Sequence, residues 1–138
     1  MGLKSSEMPS DKYFMNIAQE VSKASHCNRT KVGAVIIDQD NRIVSTGYNG
    51  TPKGADNQCE TSDNLFTYPD VLHAELNAIL FAKRDLTNCT LYVTSSPCQC
   101  CAAIIVQAGI KRVFYKEPYR DTLGIGYLIN HNIPTTQV

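Results

Sequence analysis

At 138 residues the chain has the size of one compact domain, long enough to bury about two-thirds of its unfolded surface without disulfide staples. Its 13 basic and 13 acidic residues cancel, which argues against a general affinity for polyanions such as nucleic acid. Met1 to Ser10 carries no apolar signal-peptide core and no apolar run is long enough to span a bilayer, so a cytoplasmic setting with no membrane partner is expected. Six cysteines and three histidines stand out. In that setting clustered cysteines more often hold metal than form disulfides.

Residues 1–9 are polar and expected to fray. Phe14, Ile17, Ala18, Val21 and Ala24 then recur at helical spacing, with Ser10 or Asp11 available as N-cap. Val32-Gly-Ala-Val-Ile-Ile37 and Arg42-Ile-Val-Ser-Thr46 flank Asp38-Gln-Asp-Asn41, the pattern of a hairpin with a four-residue loop. Gly47 to Asp70 is rich in Gly, Asn, Asp and Pro and reads as a long loop, of the kind that is usually functional. His73 to Lys83 is a second predicted helix with Leu76, Ile79 and Leu80 as its apolar face. Thr90-Leu-Tyr-Val-Thr94 is a buried strand, and Ser95-Ser96-Pro97 opens a third helix that runs to Ala108 and stops at Gly109. A strand at Arg112-Val-Phe-Tyr115, a weak helix over 121–130 and a short strand near 133–136 complete the order α-β-β-α-β-α-β-α-β. No repeat or linker interrupts it. The expectation is a single domain, 1–138, built as a three-layer α/β/α sandwich on a mixed five-stranded sheet.

The chemistry concentrates in His73-Ala74-Glu75 and Pro97-Cys98-Gln99-Cys100-Cys101. Cys98 and Cys101 are three apart at a helix start and can share one face, whereas Cys100 lies about 200° from Cys98 and should point elsewhere. A helix N-terminus lowers thiol pKa, and zinc completes the deprotonation. His73, at the start of the neighbouring helix, can reach the same point. Three protein ligands leave one tetrahedral position open, the mark of a catalytic zinc site. Glu75 is two residues beyond His73 and off its face, so it is expected to reach a metal-activated water rather than the metal, and to relay protons. A lone CxxC could be a redox pair and a lone histidine a core residue. HxE followed by PCxxC at two consecutive helix starts is far more specific and is a zinc-deaminase signature.

These motifs, together with Cys27-Asn-Arg29-Thr-Lys31-Val-Gly-Ala-Val35, Gly47-Tyr-Asn-Gly50 and Gly109-Ile-Lys-Arg-Val113, resemble the deoxycytidylate (dCMP) deaminases of the cytidine deaminase-like superfamily, over roughly residues 12–137. The resemblance implies hydrolysis of dCMP to dUMP and ammonia, with Asn49 and the Ala74 backbone positioning sugar and base. It places Arg29 and Lys31 near the phosphate and sugar, a sensible chemistry because a guanidinium fork and a second charge suit a phosphate. Tyr119 is a weaker candidate there. It further implies activation by dCTP and inhibition by dTTP, with Mg2+ on the effector, contact through Gly47, Tyr48, Asn49 and Gly50, and a homohexamer. Some relatives hold a second, structural zinc. Cys27 and Cys59 fall at two of its ligand positions, but as separate buried or loop thiols, like Cys89 and Cys100, they need no partner.

Other readings are a tRNA or free-base deaminase, a riboflavin-pathway pyrimidine deaminase, and a catalytically silent zinc-stabilised scaffold. Neutral charge speaks against the first, the lack of a second domain in this sequence against the second. Retention of Glu75 speaks against the third.

Overall fold

The computed structural model describes residues 10–138, so the expected fraying of 1–9 lies outside the described residues. The elements run α1 (Asp11–Ser22), β1 (Gly33–Ile37), β2 (Ile43–Tyr48), α2 (Ala74–Ala82), β3 (Thr90–Ser95), α3 (Gln99–Ala108), β4 (Arg112–Glu117), α4 (Leu123–Asn130) and β5 (Thr135–Gln137). This is the order read from the sequence. The sheet order is β2-β1-β3-β4-β5. The hairpin strands pair antiparallel and β1 pairs antiparallel with β3, while β3, β4 and β5 run parallel. The sheet is therefore mixed, as expected.

Alternation along the strands divides the core between two faces. Val35 and Ile37 of β1 and Tyr92 of β3 pack on Phe14, Met15 and Ala18 of α1. Ala34, Ile36, Leu91 and Val93 face the opposite way, towards Ala78 of α2, Ile105 of α3 and Leu128 of α4. Ser10 caps α1, its Oγ accepting from the Tyr13 N–H at 3.2 Å. Gly109 closes α3 at φ 84°, a left-handed conformation that glycine adopts without penalty.

Three local expectations need correction. The apolar face assigned to α2 is not the buried one: Ala74, Glu75 and Ala78 are buried while Leu80 is 55% exposed. The reason is close approach, since a Cβ added to Gly47 of β2 would lie 3.0 Å from the Ala78 Cα, so only small residues fit between helix and strand. β2 extends to Tyr48, so the long loop starts at 49 rather than at Gly47. Cys27 and Cys59 are not separate thiols but a disulfide, with Cα atoms 5.2 Å apart across 32 residues of sequence. It ties the segment after α1 to the long loop, a proximity that no local pattern encodes.

Candidate active site

Two helix N-termini converge on one point. His73 is the N-cap of α2 and Cys98 the N-cap of α3, both in extended backbone. The helices thus begin one and two residues later than the sequence suggests, and Cys98 does not sit on a helical face. Its sulfur instead caps α3, accepting from the Cys101 backbone N–H at 3.5 Å. Cys101, three residues on, brings its thiol to the same place, while Cys100 is exposed.

His73 Nδ1 lies 3.5 Å from Cys98 Sγ and 3.3 Å from Cys101 Sγ. A tetrahedral zinc with Zn–N of about 2.0 Å and Zn–S of about 2.3 Å requires N···S separations of about 3.5 Å. Both N···S separations match that spacing, and the three donor atoms lie within 4.8 Å of one another, so the donor set fits zinc. Hydrogen bonds from Cys101 and then His73 pull the Cys98 thiol down to about 4, and Cys101, which keeps the shared proton, is pushed up. The same contact with Cys98 raises His73. Such a pair holds one proton where a divalent ion would sit.

Glu75 occupies the first turn of α2 and is 3% exposed. Burial pushes its carboxyl up to about 7, the range in which a general acid–base works at neutral pH. It lines a cavity of about 450 Å³ together with His73 and Cys98, a volume suited to a small organic ligand.

The other sequence candidates divide. Arg29, Asn49, Ala74 and Tyr119 line this cavity. The Asn49 amide is engaged with backbone, its Oδ1 accepting from Val32 N–H and its Nδ2 donating to Thr30 O, each at 2.8 Å. One N–H of that amide has capacity to spare. Lys31 is not among the lining residues. Its Nζ donates to the carbonyls of Ser25 at 2.6 Å and Cys27 at 2.8 Å, closing the turn between α1 and β1. Gly47 and Tyr48 end β2, and the Gly50 N–H donates to Leu72 O at 3.0 Å.

Sequence reasoning missed three residues. Glu60, 4% exposed, accepts from the backbone N–H of Asn28 and of Arg29, each at 2.9 Å. Ser96, 3% exposed, takes the Tyr119 N–H at 2.6 Å, and Arg120 lines the cavity beside it. A carboxylate next to Cys59 and a serine next to the PCxxC turn were the available signals. Arg120 had none.

A model of the "Cytidine and deoxycytidylate deaminase zinc-binding region" matches residues 8–117. The chain is 47% identical over 112 residues to an uncharacterized deaminase of Aliivibrio fischeri, covering 81% of this chain and 76% of that one. It is 42% identical over 122 residues to the deoxycytidylate deaminase of Mycobacterium phage D29, covering 78% of this chain and 94% of that one. The dCMP deaminase of cyanophage S-TIM5, solved in complex with dCMP and dUMP, superposes with a TM-score of 0.88 at 35% identity over 99% of this chain and 100% of that one. Three-layer fold, His/Cys/Cys triad and buried glutamate agree with these likenesses, and the chain belongs to the cytidine and deoxycytidylate deaminase family of zinc-binding enzymes.

Proposed function

We propose that this deaminase hydrolyses dCMP to dUMP and ammonia. The observation that carries the reading is the convergence of His73, Cys98 and Cys101 on one point, with His73, Cys98 and buried Glu75 lining one cavity. The three ligands would hold the metal, and zinc, when bound, supplies Lewis acidity that makes water nucleophilic at neutral pH. Glu75 takes one proton of the attacking water and gives it to ring nitrogen N3, then takes the second from the hydroxyl now on C4 and gives it to the amine, which departs as ammonia. Burial holds its carboxyl up at about 7, the range in which a proton relay works at neutral pH. The Ala74 backbone and Asn49 orient the pyrimidine and sugar, and Arg29 binds the 5′-phosphate.

The finer parts of the proposal follow from the resemblance. The product supplies dTMP synthesis in the cytoplasm, dCTP with Mg2+ activates and dTTP inhibits through the 47–50 segment, and the chain assembles as a homohexamer. Leu80 and Phe81, 55% and 54% exposed on α2, give such an assembly apolar surface to cover.

The test is a substrate panel. Zinc-loaded protein is assayed by absorbance on dCMP, CMP, dCTP and deoxycytidine, with dCMP expected to be by far the best. Equal rates on dCMP and deoxycytidine would move the activity to nucleosides, and no turnover of any would leave a silent zinc scaffold.

A further inference from the structure

We infer that Cys27 and Cys59 form a redox-responsive clasp. Bonded, they hold the loop 51–71 as one wall of the cavity; a small thiol that opens the bond frees that wall while the metal site stays whole. The inference goes beyond the deaminase reading and uses nucleotides only as probes of the cavity.

The loop contributes Glu60, Phe66, Thr67 and Val71 to the cavity lining, yet it has little hold on the rest of the molecule. Its buried residues are Cys59 and Glu60, and the positions around them are half-buried or exposed. Leu65, Phe66 and Tyr68, the apolar side chains that could dock it, face solvent. Many of its hydrogen bonds are internal: Thr61 N–H to Phe66 O at 2.9 Å, Tyr68 N–H to Cys59 O at 2.8 Å and Leu65 N–H to Asp63 Oδ1 at 3.0 Å. Among the described residues, its hydrogen bonds to the rest of the chain all end on Asn28 and Arg29. Glu60 accepts from both backbone N–H groups, Asn64 Oδ1 from Asn28 Nδ2 at 3.3 Å, and Thr67 Oγ1 from Arg29 Nη1 at 3.5 Å. Lys53 Nζ, 5.5 Å from the exposed Phe81 ring, adds a surface contact near the start of the loop. The Cys27–Cys59 bond enters beside Asn28, and a Glu60 carboxylate oxygen lies within 4.8 Å of both sulfurs. One buried point thus fastens the whole loop.

The other side of the clasp is held independently. The Cys27 N–H donates to Ser25 Oγ at 3.2 Å, and the Cys27 carbonyl takes the Lys31 ammonium at 2.8 Å. Ser25 Oγ in turn donates to Asn49 O at 2.8 Å, just beyond β2. Opening the bond therefore leaves the turn after α1 in place and loosens the loop. Sulfurs that are no longer bonded also need the spacing of non-bonded atoms, which a packed interior supplies only by displacement. The metal donors stand on the starts of α2 and α3, away from this hinge.

Both cysteines are buried and Cys27 lines the cavity, so a reductant reaches the bond through the space a ligand fills. A small thiolate attacks one sulfur, forming a mixed disulfide and releasing the other as a thiolate that takes a proton. A second small thiol then displaces the first. Two electrons and two protons have passed to the protein, and the small thiols leave as their disulfide. In the cytoplasm proposed above, glutathione-type thiols keep such a bond responsive rather than permanent. Ligand binding favours the closed wall, so bound nucleotide protects the bond and the bond strengthens nucleotide binding.

The experiment compares the zinc-loaded chain oxidised and after reduction by glutathione, with the cysteine linkage mapped by mass spectrometry. Loss of preorganisation in one wall predicts a rise in KM for dCMP of about 3- to 10-fold on reduction, with kcat and one zinc per chain kept. Amide hydrogen exchange at 59–68 should speed up relative to α2 and α3, and dUMP bound beforehand should slow the reduction. Cys27→Ser/Cys59→Ser should show the raised KM and no response to reductant. Confirmed reduction that leaves KM and loop exchange unchanged overturns the inference, as does a reductant response that persists in the double variant. Cysteines that stay unlinked under oxidant and hold a second zinc overturn it too. Failure to turn over dCMP in either state overturns the substrate reading alone, because hydrogen exchange in the loop still decides the clasp.

Discussion

The floor and the rim of the cavity are built by different means. Each of the three donors and the glutamate beside them sits within four positions of a helix start: His73 and Glu75 at α2, Cys98 and Cys101 at α3. Both helices rest on neighbours with no slack. A Cβ on Gly47 would strike the first turns of α2, and one on Gly124 of α4 would lie 2.8 Å from the carbonyl carbons of Pro97 and Cys98. Rim residues sit on loops instead, held by single buried side chains such as Glu60 and Ser96. Metal ligands tolerate little displacement, and the helices that carry them are set by close backbone approaches. Ligand recognition tolerates more and can be altered loop by loop without touching the fold.

That contrast breaks most sharply at the metal. Cys101→Ser should abolish zinc retention and turnover together, because two of three donors cannot hold the ion against a chelator; metal analysis and a dCMP assay on the same sample check it. Gly124→Ala comes next. Overpacking here should cost about 1–3 kcal/mol and speed zinc release to a chelator, read by thermal melting and a colorimetric chelator. Gly126→Ala, where a Cβ meets nothing within 4 Å, should change neither.

A third test uses pH on metal-free protein. The Glu75 carboxyl is raised in the fold from its ordinary value of 4.5 to about 7, by burial. The folded state therefore binds the proton more tightly than the unfolded state, and the stability this gives fades as pH rises from about 4.5 through about 7. Gln cannot titrate. The advantage of Glu75→Gln over wild type should grow by ~1–3 kcal/mol between pH 5 and pH 8, measured by denaturant unfolding. A constant difference would mean that Glu75 is not desolvated.

At the rim the effects shrink. Glu60→Gln weakens the charge-assisted hold on the Asn28 and Arg29 N–H groups and should raise KM for dCMP by about 3- to 10-fold with zinc content unchanged. A fall in zinc content in that variant would show that floor and rim are not separable.

The same division governs what could be read in the sequence. Period-two and period-3.6 patterns gave each element to within about three residues, because burial on one face writes itself into local order. HxE and PCxxC pointed to the three donors that the fold brings within 4.8 Å of one another for the same reason: each motif lies at one helix start. What stayed hidden depends on contacts between distant segments. The Cys27–Cys59 link spans 32 residues, Glu60 braces residues 31 and 32 positions away, and Ser96 reaches forward 23. Lys31 misled for a related reason, since charge is legible in sequence but the carbonyls that engage it are not. The buried face of α2 was misread because small residues pack there against Gly47 while Leu80 faces out.

The central claim is that Glu75 moves protons beside a metal it does not bind. The most direct measurement is zinc content and dCMP turnover of Glu75→Gln against wild type at neutral pH. The account predicts one zinc per chain in both proteins and a loss of turnover of about 10²- to 10⁴-fold in the variant. Near-normal turnover, or a variant emptied of zinc, would contradict it.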